Sequence, residues 1–466
     1  MNFKIRRMSK INYKYEWLIT LLIGLMSFLL FTYIDNVSMT VWSINILDCL
    51  WKGNILDFYN YTALNVHNVH HQYCGSMYLG FIPHAIWNIP IWMVHYFGGI
   101  EITNSVICML WAKLYYVVIL IVLIHFTVKC IDEKCSEEDK TLVALLISSS
   151  VYVLIAIGYA GQNDILWVTL GLISFYYYLN GNVKKFIIFA GLSMLIKPYF
   201  LIPCIGLLLL SEKRIIKLVL KVFLLVSPTA VCQVIFFFLP GYRMSTSANN
   251  IQSSMLESYL GSTFSISYGA ISKIIFILMI IYIGCYILNI EDKEKSKEYS
   301  IYYMLLINFV WLVFSYEHFY RIVMVLPYLY MTIIRRKKLF EINMWLDNII
   351  SGSFIFVYIA SASTFLTPKW SMKPSIIRNI DYENVLSVAD TLLKFLSENT
   401  LNAAYVLSRT VWVGAVAALL IFNIPRVSEY MERYWQSDKN VSRTLIWAHV
   451  LLFLPFVMLC YFLANR

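Results

Sequence analysis

Glu317, His318 and Arg321 stand together in the stretch SYEHFYR, residues 315 to 321. Apolar runs flank it on both sides, SIYYMLLINFVWLVF before and IVMVLPYLYMTII after. Ionisable groups are costly at membrane depth, so such a cluster marks a candidate site. The residue types suit a particular chemistry. A carboxylate can take the proton of an attacking hydroxyl. Lysine, arginine and histidine can hold a phosphate and stabilise the charge that grows on it as it leaves. Further candidates are Asp35 after the first apolar run, Asp48, Asp57 and Tyr59 in GNILDFYNY, Gln162, Asn163 and Asp164 in GQND, and Lys197 before Pro198. Together they describe group transfer from a phosphate-linked donor.

Each residue also has an ordinary reading. Asp35 ends the first helix, where the macrodipole does not favour a carboxylate. Asp48 fits the solvated face of an interfacial helix, and Asp57 admits either role. Asp164 fits a helix cap. Lys197 can snorkel to the headgroups, although Pro198 fixes it between two short helices. Glu317 and Arg321 are spaced as a helical i, i+4 pair, with His318 then an interface histidine. His67, His70 and His71 have a spacing that can share a metal. No carboxylate nearby completes that set, so a polar loop is expected and no metal or other cofactor is implied.

The elements that must position these groups follow from composition. The 466 residues are 60% hydrophobic and 14% charged, whereas a soluble domain carries about 25% charged residues. Long apolar runs recur from Trp17 almost to the end. The fold class is therefore all-α, a polytopic helical membrane protein. Continuous rather than alternating runs exclude a β-barrel. The net charge of +10 lies in short loops, as the positive-inside rule expects, and implies no nucleic-acid partner. The nine cysteines form no CxxC pair and read as small buried hydrophobes.

Arg6, Arg7, Lys10 and Lys14 precede the first helix, 17–34, placing the N-terminus in the cytoplasm and Asp35 outside. A long first external loop, 35–104, follows. Val41, Ile44, Leu47 and Trp51 share one helical face, with Ser43, Asn45, Asp48 and Lys52 elsewhere, which suits a helix flat in the interface. Residues 78–99 contain Pro83, Pro90, His84, His95 and Asn88 and read as re-entrant or external. The runs on either side of Lys197-Pro198 are short and read as a hairpin with Lys197 at its outer tip. Taken to the end, with an external segment at 367–402, this gives about 13 spans of roughly 20 residues. Five basic clusters then share the cytoplasmic side: the N-terminal tail, Lys184-Lys185, EKRIIK, KEKSK and RRKK.

Four pieces resemble the GT-C superfamily of integral-membrane glycosyltransferases, in its polyprenyl-phosphate-mannose-dependent mannosyltransferase branch. YIDNVSMTVWSINILDCLWKGNILDFY is similar to the first external loop of that family. GQNDILWVTLGLISFYYYLNGN resembles its GQ-N motif, FAGLSMLIKPYFLIP its KP hairpin, and EHFYRIVMVLPYL its late histidine and arginine segment. The resemblance implies a sugar donor on a polyprenyl monophosphate, with Asp35 as general base for an inverting displacement. It implies His318 in the catalytic set, with His318, Arg321 and Lys197 at the lipid phosphate. Asp57, Tyr59, Gln162, Asn163 and Glu317 would line the substrate site. The acceptor would be a cell-envelope glycolipid or polysaccharide, and the location a bacterial plasma membrane with the active site external. The family's paired prolines are represented only by the separated Pro83 and Pro90. Residues 1–340 would form the catalytic module and 341–466 a variable C-terminal module. Alternatives are a polymerase or ligase using a diphosphate-linked donor, and a lipid-linked sugar transporter or flippase.

Overall fold

Apolar runs this long satisfy their backbone polar groups internally only as helices, and among the described residues of the computed structural model the regular elements are helices apart from one hairpin. It describes residues 13–64, 74, 77–131, 135–248, 260–267, 269–315, 319–361, 394 and 397–464. Helices α1 (Lys14–Leu30), α2 (Ile34–Trp51), α3 (Phe58–Leu64), α4 (Ile82–Trp87), α5 (Ile89–Gly98) and α6 (Val106–Cys130) form the first part. Next come α7 (Glu137–Ser149) and α8 (Val151–Val153), which runs on as a π-helical turn over Leu154–Ala160, then α9 (Asp164–Leu179), α10 (Val183–Ile196), α11 (Leu201–Ser211), α12 (Ile215–Phe237) and α13 (Pro240–Ala248). A hairpin, β1 (Thr263–Ile266) and β2 (Gly269–Ser272), leads to α14 (Lys273–Ile287), α15 (Lys293–Phe314), α16 (Leu326–Arg335) and α17 (Phe340–Ser361). The chain closes with α18 (Glu398–Phe422), α19 (Pro425–Met431), α20 (Lys439–Leu451) and α21 (Leu454–Ala464).

Among the described residues four helices are long and apolar enough to cross a membrane, or up to six when each bent pair counts as one span. The protein is membrane-embedded. Other apolar stretches are divided by breaks. The chain bends by 67° between α1 and α2 and by 43° between α7 and α8. Residues 78–99 are broken at Asn88, so neither α4 nor α5 reaches spanning length. Helix α10 ends at Lys197, whose extended backbone precedes Pro198, and α11 then returns along α9. A Cβ on Gly171 would meet the Phe200 ring at 2.6 Å, and Tyr178 donates its hydroxyl to the Leu207 carbonyl at 3.1 Å. The expected hairpin is thus present, with Lys197 at its tip.

Two readings of the first loop are corrected. Asp35 does not end a helix. It lies in the first turn of α2, where the macrodipole favours a carboxylate. Nor is the polar face of α2 solvated over these positions. Ser43 and Asn45 are wholly buried and Asp48 nearly so. Their partners lie on α3 and α5 or at the break between α4 and α5. Asn88 donates to Ser43 Oγ at 2.7 Å, Trp92 and Tyr61 donate to Asp48 at 2.8 and 3.0 Å, and Asn45 donates to Thr62 at 3.4 Å. In a membrane protein the polar stripe of a helix can face inward, because other helices supply its hydrogen bonds.

Several loops with charges of both signs meet on one face. Lys337 pairs with Asp139 at 2.6 Å, Arg336 with Glu298 and, at 3.4 Å, with Glu432, and Arg443 with Glu16 at 3.4 Å. The acidic stretch near Asp139 therefore sits beside RRKK, as the shared-side expectation requires. One apolar core runs from α1 to α21 without separating residues 341–466 from the rest. The expected external segment 367–402 lies mostly outside the described residues.

Candidate functional site

The site forms where the breaks converge. Gly161 turns the chain out of the π-helical segment with φ +65°, and a Cβ there would meet Asn36 Cβ at 2.8 Å. The next three residues each reach a different element. Gln162 Nε2 donates to Asp35 Oδ2 on α2 at 2.5 Å. Asn163 Nδ2 donates to the Gly80 carbonyl at 2.9 Å, which ties this turn to the segment before α4. Asp164, wholly buried, accepts from Lys197 Nζ at 2.8 and 2.9 Å and from Trp167 Nε1 at 2.6 Å.

Arg321, buried, lies with its guanidinium 4.5 Å from the Tyr199 ring centroid, and Tyr199 packs against Trp311 at 4.9 Å. Guanidinium over an aromatic face is a favourable, oriented contact. The Arg321 charge acts on both Asp164 and Lys197, and the Asp35 charge acts on Lys197, so the four ionic groups occupy one electrostatic neighbourhood. Removing one partner of such a buried pair leaves a charge uncompensated, so Asp164 and Lys197 hold each other in place. Lys197 offers three N–H donors, of which Asp164 takes two, and its side chain is 19% exposed. The arrangement presents a half-buried carboxylate, steered by an amide, beside Lys197, steered by a second carboxylate, and Arg321, packed on Tyr199.

Of the expected site residues, Asp35, Gln162, Lys197 and Arg321 come together, and Asn163 supports them through backbone. Asp164, expected as a cap, is instead the counter-ion of Lys197, while Asn163 holds the N-cap position. Tyr59 is buried, with its hydroxyl accepting from the Tyr78 amide at 3.1 Å, two residues from the Gly80 carbonyl. Asp57 is exposed and accepts from Asn60 at 2.7 Å, a local contact. Asp48 belongs to the α2–α5 contact. Glu317 and His318 lie outside the described residues, as do His67, His70 and His71. Among the described residues no group of three His, Cys, Asp or Glu side chains is gathered for a metal.

Sequence reasoning missed four residues. Tyr116, Tyr320 and Tyr358 are each within reach of the Asp35 charge. Nothing marked them among 34 tyrosines. Lys113 is wholly buried within α6 and donates to the carbonyls of Phe28, Phe31 and Gly158. A lone charge inside a spanning run was the signal that should have found it.

Compared with known proteins, the chain matches no family model, no curated protein and no solved structure.

Proposed function

We propose that the protein is an inverting glycosyltransferase of GT-C type. It would move a sugar from a polyprenyl-phosphate carrier to a glycolipid or polysaccharide acceptor at the outer face of a bacterial plasma membrane, with about 13 spans in the full chain. The observation that carries the reading is the contact of Asp35 with Gln162 beside the Lys197–Asp164–Arg321 cluster. In the reaction Asp35 takes the acceptor hydroxyl proton, the acceptor oxygen bonds to the anomeric carbon, and the bond from that carbon to the phosphate oxygen breaks. Polyprenyl phosphate leaves with the electron pair, and Lys197 and Arg321 stabilise the charge gathering on it. Tyr199 packs against the guanidinium, and Asp164 holds Lys197 aimed.

A lipid-linked sugar transporter is the second reading, because interrupted helices meeting at charged groups are also how transporters build their sites. Incubation of the purified protein with a panel of labelled polyprenyl-phosphate sugars and an acceptor extract separates the two. Release of free polyprenyl phosphate with sugar on the acceptor is the expected result. Movement of intact donor across a vesicle membrane, without cleavage, would replace the enzyme by the transporter.

A further inference from the structure

Lys113 stands alone as a cation within the apolar length of α6, and its side chain is wholly buried. Nζ donates to the Phe31 carbonyl, to the Gly158 carbonyl at 2.5 Å and to the Phe28 carbonyl at 3.2 Å. An ammonium has three donors, and three acceptors meet it here. All belong to interrupted helices. Phe28 and Phe31 lie at the C-terminal end of α1, and Gly158 lies in the π-helical turn. Carbonyls at a helix end lack amide partners and carry the negative end of the macrodipole. Elsewhere in membranes such ends coordinate a metal cation. Here the chain supplies its own.

The two strands of chain leaving this clamp carry the site. Asp35 follows Phe31 and Gln162 follows Gly158, each by four residues, and the two side chains meet. A second tie runs to the same helix one turn earlier, where Asn36 donates to the Met109 carbonyl at 3.0 Å. The walls are close as well, since a Cβ on Gly158 would meet Ser27 Cβ at 3.1 Å.

We propose that Lys113 is a positioning residue for the Asp35–Gln162 pair: its ammonium joins the two broken helix ends and so sets where the Asp35 carboxylate points. This rests on the reading of Asp35 as the base. The full-length protein in lipid nanodiscs tests it with two variants. Lys113→Met removes the charge and keeps the stem, and Lys113→Gln keeps two donors.

With Lys113→Met, kcat for sugar transfer falls about 100-fold, as expected for a displaced catalytic group. KM for the donor changes much less than kcat, because Lys197 and Arg321 sit on other elements and, among the described residues, only Asp164 links Lys197 to this turn. Lys113→Gln falls between. Equal effects on kcat and KM would overturn the proposal.

A second readout needs no activity. In a background lacking the nine native cysteines, the pair Asp35→Cys and Gln162→Cys is bridged with a short bifunctional thiol reagent. Asp139→Cys with Lys337→Cys serves as a control in the ion-paired loops. Bridging of the first pair is lost on adding Lys113→Met and slowed by Lys113→Gln, while the control pair stays bridged. Unchanged bridging of the first pair overturns the proposal, and so does loss of both pairs, which would make Lys113 a support of the whole fold. Where the methionine variant fails to fold, the glutamine variant decides. If the wild-type protein transfers no sugar, the reading of Asp35 as base falls, and the cross-linking arms still decide whether Lys113 sets the contact.

Discussion

Gln162 donates its side-chain amide to the Asp35 carboxylate at 2.5 Å across 127 positions of the chain. The bond occupies one carboxylate oxygen and leaves the direction of the other defined. On the proposed reading, a base fixed in this way is ready for one hydroxyl geometry rather than many, which is where orientation contributes to rate.

Asp35→Asn keeps the size of the side chain and removes the proton acceptor. Sugar transfer is expected to fall by roughly a thousandfold, within the range for a positioned base. Thermal unfolding should move little, because an amide can still pair with Gln162. Initial rates with a labelled donor check the first statement and an unfolding scan the second. Full retained activity would remove Asp35 from the base role.

Asp164 and Lys197 should behave as a unit. Asp164→Leu or Lys197→Met alone is expected to cost about 3 kcal/mol, because each leaves a buried charge without its partner. The double replacement, Asp164→Leu with Lys197→Met, recovers most of that stability while donor binding stays lost. A double-mutant cycle by chemical denaturation, read beside donor affinity, separates the two effects. Single variants as stable as the wild type would show that the pair is solvated and weak.

Gly161→Ala faces two penalties: a positive φ, costing roughly 1–2 kcal/mol for an L-residue, and the approach to Asn36 Cβ at 2.8 Å. Gly53 has φ +70° and open space around it, so Gly53→Ala carries only the first penalty. The expected order in an unfolding assay is a larger loss for Gly161→Ala, together with slowed transfer. Equal losses would mean that Asn36 moves aside freely.

The loop face offers a pH test. Burial pushes the Asp139 carboxyl up, but the Lys337 ammonium and the Ser136 amide and hydroxyl outweigh it and hold the group below the ordinary carboxylate value of 3.8. A folded-state value depressed in this way stabilises the protein above the unfolded-state value, and the benefit disappears as pH falls through the folded-state value. Thermal stability should therefore decline below about pH 4. In Asp139→Asn the decline should be smaller, with a loss of about 1 kcal/mol at neutral pH from the capping box. A pH series of unfolding temperatures for both proteins checks the sign.

The parts of the site legible in the sequence were those where polarity contrasts with its surroundings. GQND, Lys197-Pro198 and Arg321 interrupt apolar runs, and the structure brings all three together with Asp35. The orientation of α2 was not legible. Its period was read correctly, but the sequence cannot say whether a polar stripe faces water or other helices, and Asn88, Trp92 and Tyr61 decide that. The break after Leu30 was hidden as well, because residues 31–33 carry no glycine or proline. Asp35 was consequently assigned to a helix end rather than a helix start. Breaks such as the bend at Ser150 were not legible either, because the stretches they divide are apolar on both sides.

The site is made from the ends of helices rather than from their sides. An end moves when its rod tilts, and the tilt of a membrane rod follows the thickness of the surrounding hydrocarbon. Lipid chain length would therefore act on Asp35, Gln162 and Lys197 without touching them, and on the proposed function the bilayer would control the reaction as well as dissolve the protein.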